Sequence, residues 1–321
     1  MRYLDFERPI AALEEELEGL RRKYEEEKDE ALLGKIEDLE KQVKKLKYDI
    51  FSRLTRWQKV QLARHPDRPK PLDIISHICE DFVELHGDRL FGDDAAVVAG
   101  LGKIDRYGVV VIGIQKGKDT EENLKRNFGM AHPEGYRKAM RLFDLADKLR
   151  LPVLTLVDTP GAYPGIGAEE RGQFSAIAHS IKRMLKLRVP SVAFITGEGG
   201  SGGALALAAA DRVYMLEYAI YSVISPEGAA SILFKDASRN REAAEALKIT
   251  ADDLYEFGII DGIVKEPLGG AHRDPKLTAM RVRNTFLKAL KELKGKSPRT
   301  LRMRRMQKYI KMGAWTEVKP T

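Results

Sequence analysis

The sequence of 321 residues contains one cysteine, Cys79. A single thiol cannot close an internal disulfide or build a cysteine-based zinc site, and its isolation points to a reducing compartment. Long apolar runs are missing too: no stretch of about 18 apolar residues occurs that could span a bilayer. Residues 1–18 are charged where a secretory signal would need an apolar centre, so a soluble, unexported, cytoplasmic chain is expected. There is no low-complexity tract and no recurring period of the solenoid kind. What remains is a chain long enough for one large domain or two ordinary ones.

Net charge is only +7, from 55 Lys and Arg against 48 Asp and Glu, but it is unevenly placed. Residues 1–65 hold 15 basic and 15 acidic residues. Apolar residues recur there at helical spacing, first Ile10, Leu13, Leu17, Leu20 and Tyr24, then Ile36, Leu39, Val43, Leu46, Ile50 and Leu54. The stripe loses phase across 28–34, where Asp29 can cap a new helix, so two antiparallel helices are expected. Residues 65–71 carry three prolines and suit an extended linker. At the other end, residues 291–311 hold nine Lys or Arg and one Glu, which predicts a basic helix and tail. Beyond Tyr309 and Trp315 no aromatic interleaving or recognition motif accompanies that charge, so nucleic-acid binding is not expected.

Between these ends, apolar runs at 95–99, 109–114, 152–158, 191–196, 213–217 and 263–265 read as strands. Helical patterns at 133–148, 172–186 and 203–210 separate them, which indicates an α/β domain with largely parallel strands. Two glycine-rich segments follow strands. The first, DTPGAYPGIG at 158–167, is stiff and poor in side chains, and it stands where open α/β sheets place ligands. The second, GEGGSGG at 197–203, has five glycines in seven positions and precedes an alanine-rich helix. Bare amides at a helix N-terminus suit an anion or a developing oxyanion.

Several readings of the second segment compete. Gly197, Gly199 and Gly202 formally match a dinucleotide fingerprint, with Glu217 at a strand end beyond them, yet the helix is short and the glycines are doubled. No Gly-Lys-Ser/Thr closes a phosphate loop. Ser201 is a formal nucleophile candidate with His132 or His179 as its base, and a glycine turn required only for close packing is the plainest alternative.

Those segments resemble a known family. DTPGAYPGIGAEERG at 158–172 and GEGGSGGA at 197–204 are similar to signature segments of the carboxyltransferase α subunits of bacterial acetyl-CoA carboxylases. So are RNFGM at 126–130, PEGYRKA at 133–139, YSVISPEG at 221–228 and QLARHPDRP at 61–69, in the same order. The resemblance implies an α/β fold of the crotonase type, built from repeated ββα units, after the N-terminal helical hairpin. It also implies three parts: a hairpin (1–65), a crotonase-like CoA carboxyltransferase domain (66–290) and a basic end (291–321).

Transfer of the carboxyl group of carboxybiotin, held on a biotin carboxyl carrier protein, to acetyl-CoA is the implied activity, giving malonyl-CoA for fatty acid biosynthesis. Partners implied are a β subunit with a zinc ribbon, in an α2β2 assembly, and a biotin carboxylase that alone uses ATP. With only Cys79 this chain matches α rather than β, and no metal is expected in it.

Carried over by motif, the backbone amides of Gly202 and Gly203 form the oxyanion hole for the biotin ureido oxygen, and no protein general base is required. Gly161, Ala162, Gly199, Gly200, Ser225 and Glu227 are expected to shape the substrate cleft. Lys116, Lys118 and Arg126 are weaker candidates for contacts with CoA phosphates. Another crotonase-like acyl-CoA enzyme, a hydratase or isomerase using Glu169 or Glu170, is the alternative.

Overall fold

The computed structural model describes residues 2–313. The end of the expected basic tail, with Trp315, lies outside the described residues.

The charge-dense start forms two long helices, α1 (Arg8–Glu27) and α2 (Glu30–Phe51). Lys28 is left-handed (φ 51°) and ends the first, while the Asp29 carboxylate accepts from the Ala31 amide and caps the second. Their stripes meet, with Leu17, Ile36 and Leu39 buried together. The second helix stops at Phe51. A further helix, α3 (Arg56–Ala63), is capped by Thr55 and packs Val60 and Ala63 against Ile220, Ala244 and Ile249.

Residues 65–71 are not the free linker that three prolines suggest. His65, Arg68 and Lys70 are buried, and the cause is Arg68. Its guanidinium grips Glu266 as a fork (2.5 and 3.1 Å) and donates to the Thr196 carbonyl at 2.6 Å. A buried ion is tolerated only when paired and hydrogen-bonded in this way.

The chain then runs α4 (Pro71–Ile78), β1 (Glu80–Glu84), β2 (Val97–Ile104), β3 (Tyr107–Ile114), α5 (Thr120–Lys125), α6 (Pro133–Leu149) and β4 (Val153–Thr159). After these come α7 (Ile166–Glu170), α8 (Gln173–Lys186), β5 (Ser191–Gly200), α9 (Ser201–Ala208), β6 (Arg212–Leu216) and β7 (Ile220–Ser222). The last part holds α10 (Pro226–Phe234), α11 (Asn240–Leu247), α12 (Ala251–Glu256), β8 (Gly262–Val264), α13 (Pro275–Leu293) and α14 (Pro298–Ile310).

One sheet orders the strands β1-β2-β3-β4-β5-β6-β8, with β7 added to the far end of β5. β1, β2 and β3 pair antiparallel, and the remaining pairs are parallel. The central parallel strands are buried along their length, as continuous apolar runs require when helices cover both faces.

Three local differences from the sequence expectation have physical causes. The strand expected at 95–99 begins at Val97 and runs to Ile104, because the Asp94 carboxylate holds the Ala96 amide in a turn. β1 and β7 were not expected: β1 is short and acidic, and β7 has three residues. The segment 197–203 is not a loop at all. β5 continues through it to Gly200, paired with β7, and α9 starts at Ser201.

The basic end is tied down. Arg305 is buried on Asp211 (2.6 and 3.0 Å) and donates to the Met184 and Leu187 carbonyls, so α14 is part of the body.

Candidate active site

The site forms where the two glycine-rich segments touch backbone to backbone. A Cβ on Gly200 would stand 2.0 Å from the Pro160 carbonyl oxygen, and one on Gly203 would stand 2.7 Å from the Ala162 amide nitrogen. No larger residue fits either position without moving the 160–162 turn. That turn is held locally by Thr159, whose hydroxyl accepts from the Gly161 amide (3.1 Å) and donates to the Gly161 carbonyl (2.7 Å). Gly161 itself has φ 152°, which favours glycine.

The other quoted motifs converge on the same turn. From PEGYRKA, Glu134 accepts from Arg171 at 2.6 Å and so ties the start of α6 to the end of α7. Lys138, fully buried, donates to Asp93 and to the Asp94 carbonyl. The amide of Tyr163 donates to the Ala131 carbonyl, its ring packs on His132 at 4.1 Å, and the Gln173 amide group donates to both the Ala131 and Tyr163 carbonyls. In RNFGM, Asn127, Phe128 and Gly129 are all left-handed. Gly129 passes so close to Lys116 that a Cβ would meet its stem at 2.9 Å.

At the tip of β5, Ser201 has φ 50°, and the chain reverses into α9. Among the described residues no side chain caps this helix. The first-turn amides, which include Gly202 and Gly203, therefore donate no hydrogen bond to a capping side chain. The helix is almost wholly Ala, Gly and Leu, and it packs on α8, β4 and β5. Beside Ser201 and Gly202 opens an apolar cavity of about 420 Å³, walled by Leu205, Tyr221, Val223, Phe257 and their neighbours. Burial pushes the Tyr221 phenol well above its ordinary range, so it stays neutral there.

The expected cleft residues divide into groups. Gly161, Ala162, Gly199, Gly200, Gly202 and Gly203 do come together at the touching segments. Gly199 pairs with Thr159 on one side and Tyr221 on the other. Ser225 is the cap of α10, accepting from the Gly228 amide at 3.1 Å. Glu227 is clamped by Arg64 (2.7 and 3.2 Å), whose pull outweighs burial and lowers its pKa. The three basic candidates are all engaged: Lys116 with Glu198 and Asp158, Lys118 with Asp73, and Arg126 with Glu122 and the Ala95 carbonyl.

Sequence reasoning missed what lies under the glycines. Asp158, fully buried, accepts from the Glu198 amide at 3.0 Å and faces Lys116 (3.3 Å) and Lys70 (3.9 Å). Desolvation alone would raise its pKa, but those ammonium groups hold it below the ordinary value. Glu198 in turn meets Lys116 at 3.1 Å and Arg64. Asp158 and Glu198 stand inside the quoted motifs, and only their burial, invisible in the pattern, marks them as paired.

Other readings lose their support. Ser201 has no hydrogen bond to a histidine among the described residues: His132 faces Arg171, and His179 faces Ser175. Glu217 binds Lys265 and the Glu266 amide. Glu7, His65 and His272 are buried close together, with ligand atoms within 4.8 Å of one another. The two imidazoles, however, stack at 3.9 Å and 12°, so they cannot both aim an in-plane lone pair at one ion, and both His65 nitrogens already bond to the backbone.

The family description "acetyl co-enzyme A carboxylase carboxyltransferase-like" matches residues 3–313. A Geobacter metallireducens protein named acetyl-coenzyme A carboxylase carboxyl transferase subunit alpha is 55% identical over 314 residues, 98% of each chain. The chain belongs to the acetyl-CoA carboxylase carboxyltransferase α-subunit family. The Thermus thermophilus protein of the same name is 54% identical, over 98% of this chain and 99% of its own.

Among solved structures, transcarboxylase 12S, with methylmalonyl-coenzyme A and methylmalonic acid bound, superposes with a TM-score of 0.58 at 19% identity. It covers 72% of this chain and 44% of that one. One chain of a Pseudomonas malonate decarboxylase hetero-tetramer in complex with coenzyme A gives 0.56 at 19%, over 67% and 86%. The fold is thus the α/β, crotonase-like fold. As an α-subunit family member the chain is a transferase that works in a multi-subunit complex with a β subunit. The hydratase alternative finds no support, and Glu169 and Glu170 stand exposed on α7. No helix among the described residues is long and apolar enough to cross a membrane.

Proposed function

We propose that this chain, with its β partner in an α2β2 assembly, transfers the carboxyl group of carboxybiotin to acetyl-CoA in the cytoplasm and so forms malonyl-CoA for fatty acid synthesis. The donor would arrive on a biotin carboxyl carrier protein charged by a biotin carboxylase that uses ATP, and no metal is assigned to this chain. The observation that carries the reading is the uncapped N-terminus of α9 beside an apolar cavity. When present, the donor supplies a carboxyl group whose departure leaves negative charge on the ureido oxygen.

The chain's own contribution is positional and electrostatic. The Gly202 and Gly203 amides donate to that oxygen from a helix end already fixed by the sheet. One well-placed donor of this kind is worth about 2.7–4 kcal/mol of transition-state stabilisation. Gly199, Gly200, Gly161 and Ala162 give the close-packed wall, and Ser225 and Glu227 hold the start of α10 beside it. The apolar walls of the cavity suit a ring and an alkyl chain. For CoA phosphates, Lys118 is the most accessible of Lys116, Lys118 and Arg126, with 59% of its side chain exposed.

The test is reconstitution. Co-expressed with a zinc-ribbon β subunit of the family, the chain co-purifies as one complex. That complex makes malonyl-CoA from acetyl-CoA and carboxybiotin, while the isolated chain does not. Turnover by the isolated chain alone would refute the two-subunit reading.

A further inference from the structure

Six side chains from five separate places form an alternating line of charge beneath the glycines: Lys70, Asp158, Lys116, Glu198, Arg64 and Glu227. Its formal charge sums to zero. The line begins in the buried interior and ends at Arg64 and Glu227, whose side chains are each about one third exposed. Glu198 stands two residues before Gly200, the residue that leads into α9. Arg64, Glu198, Gly199, Gly200 and Ser225 line one small recess.

A carboxylate so close to a helix N-terminus is attracted to the same amides that would serve an incoming anion, and it repels that anion. Lys116 and Arg64 lie on its two oxygens and cancel it. We propose that Arg64 and Glu198 are positioning residues. Arg64 neutralises the Glu198 carboxylate and straps it to Glu227, so that the first turn of α9 faces the reaction as an unopposed positive end. This rests on the reading that the α9 amides receive the developing oxyanion. Glu198 itself serves as the anchor that Asp158 and Lys116 hold, through its amide and its carboxylate. Neither Arg64 nor Glu198 is required to touch substrate.

Charge balance is the property to test, in the reconstituted α/β complex, with kcat and KM for acetyl-CoA measured separately. Arg64→Gln leaves one carboxylate uncompensated and is expected to lower kcat at least about ten-fold, with KM within about two-fold. Glu198→Gln removes the opposing charge, and the double variant Arg64→Gln/Glu198→Gln restores neutrality. The double is expected to regain kcat to within about three-fold of wild type. Arg64→Lys, which keeps the charge without the fork, is expected to retain most of kcat.

A double variant as slow as Arg64→Gln overturns the proposal, and so does a rise in KM at unchanged kcat, which would make Arg64 a substrate contact. Should Arg64→Gln fail to co-purify with β, the double variant, which leaves only the partly exposed Glu227 without its cation, decides by the same criterion. A wild-type complex that forms no malonyl-CoA would instead defeat the functional reading. An active wild type with indifferent variants defeats only this role.

Discussion

The position a Cβ would take on Gly203 lies 2.7 Å from the amide nitrogen of Ala162. The neighbour is backbone and cannot rotate away, so Gly203→Ala is expected to cost about 1–3 kcal/mol of stability through overpacking. At Gly202 the nearest atom is a methyl of Ile177 at 3.3 Å, and Gly202→Ala should cost much less. Urea unfolding of the two variants checks the contrast. A valine at 203 would lose activity by this steric route alone, so it says little about an oxyanion.

Gly202 is therefore the place to probe the amide. Proline is tolerated in the first turn of a helix and removes the N–H without adding a polar group. Gly202→Pro is expected to lower kcat about 10²- to 10³-fold in the complex, while Gly202→Ala, which keeps the donor, stays near wild type. A Gly202→Pro variant that co-purifies with β at wild-type Tm and turns over at full rate would remove this amide from the mechanism.

Ser201 holds φ 50° without being glycine. Replacing it by glycine relieves left-handed strain, for a gain of about 1 kcal/mol in stability. Malonyl-CoA formation should survive within a few-fold, because among the described residues no histidine is hydrogen-bonded to the side chain. Thermal unfolding and the turnover assay read the two halves, and loss of turnover by orders of magnitude would restore the nucleophile reading.

His272 is buried, and among the described residues neither of its ring nitrogens has a hydrogen-bond partner. Burial, reinforced by His65, Arg273 and Arg68, pushes it down to about 3 from an ordinary 6.5. The unfolded chain thus takes up the proton first. Stability from this group is complete above pH 6.5 and is lost progressively as pH falls toward 3, by up to about 2 kcal/mol at pH 5. Urea midpoints between pH 7.5 and 5 should fall accordingly, and less steeply in His272→Phe.

How much was legible follows from how far each signal depends on neighbours in sequence. Helical stripes and the Asp29 cap are local, and they located α1 and α2 and the break between them. Apolar runs found the central parallel strands for the same reason. β7 escaped notice because three residues carry no pattern and are ordered only by pairing with β5. The glycines of 197–203 read as a loop because composition reports backbone freedom. What decides their state is the absence of room beside Pro160 and Asp158, which are distant in sequence. Pairing hid the fate of the cations in the same way: nothing local tells that Arg68 meets Glu266, or that Lys116 spans Asp158 and Glu198.

β5 pairs with β4 from Ser191 as far as Gly199, across a register shift between Val157 and Thr159, while its other edge pairs first with β6 and then with β7. The pairing that closes the core therefore continues, across that shift, into the residues that lead to the first turn of α9. Hydrogen exchange should show a sharp step there. Amides paired within the strand exchange only when the whole sheet opens, while those of Ser201 and Gly202, more exposed at the next turn, exchange much faster. The candidate site is thereby stiff without being sealed, its rigidity borrowed from a buried central strand.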